Sequence, residues 1–364
     1  MTMTPRQRVE AALNHHQPDR TPFFEYVLLS PLADKFLGRR YAADPDNWGI
    51  FLRERGWEDA VRQNATDRIE LALLLGHDLI YAIPNPSQPL PHSAKPTKIP
   101  EISTDNPVER LRARNEKAAD KAPFSDDEFL IYHLLKEDMH RRNVDLPILA
   151  PAYRHGVWTD VDLMQTMILA PEVAHEHFSI ATRHSLALIE EYFTIGIDQI
   201  GVGGDFSGTR PLISPDAYRE FIMPQVRTLS RRIHQNGGYA INASDGNLWS
   251  VIDAFLTGCE VDGYLEIDMF AGMDLRKLKA AYGDRVTFYG NIDCGNLLSF
   301  ATPEEIRKQT IACLEAGMGN GGHIFCASNA ITASIPPENY LTMVNAYREM
   351  FGLATLRMDS QQAN

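Results

Sequence analysis

Cysteine is scarce in this sequence: Cys259, Cys294, Cys313 and Cys326 are the four in 364 residues, with no CxxC pair and no regular spacing. That argues against a disulfide framework in a chain of this length. Basic charge is also short. Lys+Arg 35 against Asp+Glu 48 leaves a formal net charge of −13, which repels a phosphate backbone and an anionic lipid surface. Neither nucleic acid nor a membrane is an expected partner. No apolar run reaches the roughly 20 residues that a spanning helix needs. Arg6, Arg8 and Glu10 stand where a signal peptide would place its apolar core, so a cytoplasmic location is expected. Phosphate-loop, GxSxG and HExxH motifs are missing too, and nucleophilic hydrolysis thereby loses its usual signatures. The glycine-rich run at residues 317–322 precedes an apolar run instead of following one, which is the wrong order for a dinucleotide fingerprint.

What is present is repetition. Between residues 237 and 339 one phrase recurs: a short apolar run, a polar residue at its end, a turn, then an amphipathic helical pattern. The runs are 239–245, 263–268, 286–293 and 323–329. The helical patterns begin near Trp249, Met273, Thr302-Pro303 and Pro336-Pro337. Strands separated by helices cannot be joined as hairpins, so the sheet is expected to be parallel with crossovers. Upstream the same reading gives strands at 23–28, 79–84, 146–153 and 197–205. The total is about eight, and the expected fold is α/β, a (β/α)8 TIM barrel with its active face at the strand ends.

Thr4-Pro5-Arg6-Gln7 is a capping box with proline at the first helical position, and residues 1–75 read as a helical N-terminal extension wrapped around the first strand. Prolines multiply over residues 85–123, which read as an insertion with a small hairpin near Ile99 and Ile102. Ser125 caps a helix to about Arg142, and residues 171–196 form a long helix. Residues 1–354 are expected to be a single barrel domain and 355–364 a tail.

The polar residues at the ends of the runs are Glu25, Asp205, Asp245, Glu266, Asp268, Asn291, Asp293 and Asn329. Strand-end Asp and Asn commonly cap the next helix, and for Asn247, Asn291 and Asp293 capping and ligand contact stand level. Asp205, Asp245 and Glu266 arrive on separate strands, and convergence on one catalytic pocket is the stronger reading. Such a site can hold a cation, including a divalent metal on Asp245 and Glu266, can pair with a cationic cofactor, or can keep one carboxyl group protonated as a general acid. Glu25, Tyr153, His155, Asn247, Asn291 and Asn329 are candidate substrate contacts. Glu25 interrupts an apolar run, and burying a carboxylate without a partner costs several kcal/mol.

Taken together, several motifs resemble the uroporphyrinogen decarboxylase superfamily. They are residues 4–13 with Pro18-Asp19-Arg20-Thr21-Pro22, Gly204-Asp205, Ile213-Ser214-Pro215-Asp216, Ser244-Asp245-Gly246-Asn247, Gly272-Met273-Asp274-Leu275, Tyr282-Gly283-Asp284-Arg285, Gly290-Asn291-Ile292-Asp293 and Pro336-Pro337-Glu338-Asn339. The likeness covers nearly the whole chain and is weakest in the insertion. Decarboxylases of the haem pathway grip substrate carboxylates with an arginine-bearing N-terminal segment, and here that place reads Phe23-Phe24-Glu25-Tyr26-Val27-Leu28. The second branch moves methyl groups to or from a corrinoid protein. Its thiol-activating members bind zinc through His-x-Cys and a later Cys, where this sequence has Ala243, Asp245 and Asn329. Cys326 is expected, by strand alternation counted from Asn329, to face the other way.

The resemblance therefore implies the methyltransferase-like branch: demethylation of a small methoxy or methylamine donor, with the methyl group passed to cobalamin on a separate corrinoid-binding protein. It also implies a homodimer. A decarboxylase acting on a porphyrin-pathway or other carboxylated substrate is one alternative. A non-catalytic protein that binds a tetrapyrrole or corrinoid is another.

Overall fold

The computed structural model describes residues 2–89, 105–120 and 124–357, so the hairpin expected near Ile99 and Ile102 lies outside the described residues. Four helices precede the sheet: α1 (Pro5–Leu13), α2 (Leu32–Leu37), α3 (Pro45–Arg55) and α4 (Trp57–Leu75). The strands are β1 (Ile80–Tyr81), β2 (Ile148–Pro151), β3 (Gln199–Gly201), β4 (Tyr239–Ala243), β5 (Gly263–Leu265), β6 (Thr287–Tyr289) and β7 (His323–Ile324). They form one seven-stranded parallel sheet in chain order. Helices α5 (Pro107–Ala119), α6 (Leu130–Arg141), α7 (Val161–Leu169), α8 (Pro171–Ile195), α9 (Pro215–Ala217), α10 (Met223–Gln235), α11 (Leu275–Tyr282), α12 (Leu297–Phe300), α13 (Pro303–Gly317) and α14 (Pro337–Met350) fill the crossovers and the C-terminal end. The arrangement is a TIM-type (β/α) barrel with N-terminal helices. Among the described residues no helix is long and apolar enough to cross a membrane.

The expected first strand at 23–28 is corrected by the structure. The segment makes only isolated parallel bridges, Phe23 with Phe325 and Leu28 with Ile331. It still joins the two edges of the sheet. Phe24 N donates to Phe325 O at 3.1 Å on one side, and Asp78 N donates to Phe23 O at 2.7 Å on the other. The reason it escapes regular pairing is at Phe23, whose N–H donates to the Asp78 carboxylate at 3.0 Å and not to a backbone carbonyl. The same carboxylate, fully buried, accepts from Arg8 Nη1 at 2.6 Å and Arg20 Nη1 at 2.6 Å. One acid thus ties α1, the first segment and the approach to β1 together.

Two layers of apolar packing follow from strand alternation. Phe24, Tyr81, Leu149, Ile241, Leu265, Tyr289, Ile324 and Cys326 point into the barrel. There they meet Val9, Ala12 and Leu13 of α1, which plugs the end of the barrel where the strands begin. The alternate residues, such as Ala240, Tyr264, Phe288 and Phe325, face the surrounding helices. Both capping boxes read from sequence are present: Thr4 with Gln7 on α1, and Thr302 with Glu305 on α13.

Three further expectations change. The stretch taken as an insertion contains a regular 13-residue helix, α5. The helix expected from Trp249 is instead a series of turns followed by a π-helical stretch at Ala254–Gly258. There Asn247 and Trp249 spend their side chains on the backbone of Ala271 and Gly272, a competition that disfavours regular helix. Cys326 faces the barrel interior, not away from it. Ladder pairing ends at Ile324 and the following residues curl into bridges, so counting back from Asn329 does not preserve parity.

Candidate active site

A cavity of about 380 Å³ opens at the end of the barrel where the strands finish. Tyr26, Tyr81, Tyr153 and Trp158 wall it, Leu149, Ile241 and Leu265 face it from the interior, and Arg154, Asp205, Glu266 and Asn329 supply its polar groups. Gly201, Gly203, Gly204 and Asp205 all line the cavity, so the chain leaving β3 runs along its wall, and at Gly203 a Cβ would lie 2.2 Å from Asn242 Oδ1, so only glycine lets this segment approach β4. Asp245 does not itself line the cavity but sits behind two residues that do, Asp205 and Asn329. Its N–H donates to Asp205 Oδ1 at 3.0 Å, and its Oδ2 accepts from Asn329 Nδ2 at 2.5 Å. The turn behind it needs Gly246, whose φ is +83 and whose Cβ would lie 2.4 Å from Gly208 O.

Glu266 reaches the cavity by a different device. It follows the inward-facing Leu265, so alternation alone would send it outward. Its φ of 70, in the left-handed region, breaks the alternation: Leu265 and Glu266 both line the cavity, and Ile267 returns to the outer core. A non-glycine residue in that region costs about 1–3 kcal/mol, a cost retained here at a carboxyl group that faces a hollow.

The electrostatics follow from burial. Glu266 is 8% exposed, and its pKa is pushed well above the usual carboxylate range by desolvation, then by the charges of Asp205 and Asp245, against a smaller opposing effect of Arg154. Asp245 is pushed up to about 7 by desolvation and by Asp205 and Asp268, while the Asn329 hydrogen bond acts the other way. Burial and the two neighbouring acids thus favour the un-ionised form of Glu266, the form that can donate a proton. As a metal site the set fits poorly. Among the described residues no thiolate or imidazole lines the cavity and no three His, Cys, Asp or Glu side chains are gathered to hold an ion, and one Asp245 oxygen is occupied by Asn329.

The other sequence candidates divide. Tyr153 and Asn329 line the cavity. His155 does not: it is buried, its Nδ1 accepts from Val157 N at 3.4 Å, and its ring packs on Tyr153 and Phe206. Burial pushes its pKa down to about 4, so it is a neutral brace for the loop after β2. Asn247 binds Ala271 O, and Asn291 binds Met273 O. Asp293 accepts from Asn296 N and Leu297 N at the start of α12. Glu25 lies outside the cavity, 6% exposed, with Oε2 accepting from Ala327 N at 3.2 Å and the Tyr340 hydroxyl beside its carboxyl group. Burial pushes it up to about 8, so it is held neutral and escapes the cost of a buried charge. Tyr26, Tyr81 and Trp158 were not singled out from sequence. Tyr81 could have been, as the terminal inward residue of β1.

Residues 159–350, more than half of the chain, match the sequence model of the Uroporphyrinogen decarboxylase (URO-D) family. The chain belongs to the URO-D family. A uroporphyrinogen decarboxylase from Psychromonas ingrahamii is 31% identical over 147 residues, 38% of each chain. One from Aromatoleum aromaticum is 27% identical over 184 residues, 49% of each. The chain thus spans about half or less of the length of these curated URO-D relatives. A methyltransferase from Methanosarcina mazei superposes over 96% of this chain and 99% of its own with a TM-score of 0.68 at 16% identity, a likeness of fold. In this URO-D chain the acids of β3, β4 and β5 all fall inside the matched region.

Proposed function

We propose that this URO-D-family chain is a methyltransferase that takes a methyl group from a small methoxylated or methylated-amine donor and passes it to the corrinoid of a separate protein. The observation that carries the reading is Glu266, buried beside two further acids and facing a cavity of about 380 Å³, a volume within the range of small-molecule sites. A porphyrinogen bearing eight carboxylates is poorly served by such a lining, which among the described residues offers Arg154 as its one basic side chain beside Asp205 and Glu266. The whole-chain likeness to a methyltransferase fold is consistent with this reading.

The corrinoid, a co-substrate brought by its own protein, supplies the nucleophile that accepts the methyl group. The residues here serve the donor. As the methyl–oxygen or methyl–nitrogen bond breaks, its electron pair stays on the heteroatom, which takes the proton of the Glu266 carboxyl group. The product then leaves as an alcohol or amine, and Glu266 is reprotonated from solvent. Asp205 and Asp245 keep that proton in place beforehand, and Asn329 fixes Asp245. The loops after β2, β3 and β5 expose Trp158, Leu212 and Phe270, respectively 46%, 50% and 73% accessible, apolar groups for the acceptor protein to approach.

The test uses the purified chain, a reduced corrinoid protein and a panel of methoxylated and methylamine donors, with methylation followed by absorbance. Glu266→Gln, which keeps the shape and loses the proton, should cut the rate about 100-fold or more. The names of the curated relatives favour a second reading, decarboxylation of a carboxylated substrate. Carbon dioxide release without corrinoid methylation would establish that reading in place of the first.

A further inference from the structure

The cavity carries both signs of charge. Asp205 and Glu266 follow β3 and β5, Arg154 follows β2, and Arg154 is the only Lys, Arg or His side chain in the lining among the described residues. Its guanidinium makes no ion pair or hydrogen bond among the described residues. It nevertheless lies within electrostatic reach of Glu266, Tyr26 and Tyr81, all lining residues, so its charge is presented to the hollow. The backbone that carries it is held firmly. His155, next in sequence, is packed between Tyr153 and Phe206, and Gly204 lies against the same loop, where a Cβ would come 3.8 Å from Arg154 Cα. A planar guanidinium fixed in this way and left without a partner matches a carboxylate in a two-bond fork. The same cavity is lined by Tyr26, Tyr81, Tyr153 and Trp158 and, from the barrel interior, by Leu149, Ile241 and Leu265, which suit a flat apolar body.

We propose that the donor is a flat methylated carboxylic acid, its carboxylate held by Arg154 and its methyl-bearing heteroatom directed at Glu266. This rests on the methyl-transfer reading for the identity of the second group, but the anion recognition does not depend on turnover. Arg154 is then the residue that selects acids over neutral or cationic donors of the same size.

Binding is measured calorimetrically on the full chain, without any corrinoid protein. The probes are 2-, 3- and 4-methoxybenzoate, each paired with its methyl ester, and tetramethylammonium. At least one acid should bind ten-fold or more tighter than its ester. Arg154→Gln should remove that preference while leaving ester affinity unchanged, and Arg154→Lys should restore part of it. A circular dichroism melt of Arg154→Gln should match the parent, since the side chain has no partner to lose. The proposal is overturned if no acid outbinds its ester, if Arg154→Gln leaves acid affinity intact, or if tetramethylammonium binds best. An acid that binds through Arg154 without methylating a corrinoid, or that loses carbon dioxide, refutes the methyl-transfer reading and leaves this one standing. Methyl transfer from uncharged donors with no preference for acids does the reverse.

Discussion

At the scale of single residues, the site depends on one carboxyl group being kept neutral by its neighbours. Desolvation is the largest cause, but Asp205 and Asp245 add to it, and this gives a prediction with a definite sign. Asp245→Asn removes a negative charge beside Glu266, so the Glu266 pKa falls toward its ordinary value. If proton donation limits the reaction, activity is lost as pH rises through that pKa, and the alkaline limb of the rate profile should move to lower pH in the variant. The amide can still meet Asn329, so a shift by one pH unit or more with near-normal activity at acid pH is the expected pattern, measured by single-turnover methylation across pH. Asp205 and Asp245 were legible as polar residues ending apolar runs on separate strands, and they meet in a backbone-to-carboxylate hydrogen bond. The orientation of Glu266 was not, because it rests on a left-handed φ at a residue type that gives no notice of one. His155 and Glu25 show the converse: a polar residue at the right place in the pattern can be spent on bracing a loop or buried as a neutral acid.

At the scale of elements, the ring is joined by a segment that is not a regular strand, and Asp78 is the group that holds it. It accepts from Arg8 and Arg20 and from the N–H of Phe23. Removing one partner of a buried ionic network costs about 3–5 kcal/mol, because the remaining charges are left uncompensated. Asp78→Ala should therefore lower the urea midpoint by that equivalent, with Asp78→Asn, which keeps part of the hydrogen bonding, falling between. If both variants melt with the parent, the joint is held by something else. The helices and the strand order were readable from capping boxes, prolines and periodicity. Residues 23–28 were misread as a strand because an apolar run says nothing about whether its partners are backbone or side-chain groups. The turns after Trp249 were missed for the same reason.

At the scale of the whole molecule, the barrel brings Asp205 and Glu266 to one mouth, with Asp245 bonded behind Asp205, and seals the opposite end with α1. The result is a small hollow of acidic and aromatic side chains with a single basic residue among the described ones. The central claim is that Glu266, facing that hollow, carries its proton at pH 7. An infrared difference spectrum between the parent and Glu266→Gln at that pH tests it most directly. The account predicts a protonated-carboxyl carbonyl band present in the parent and absent in the variant. A difference spectrum showing only an ionised carboxylate lost on substitution would contradict it.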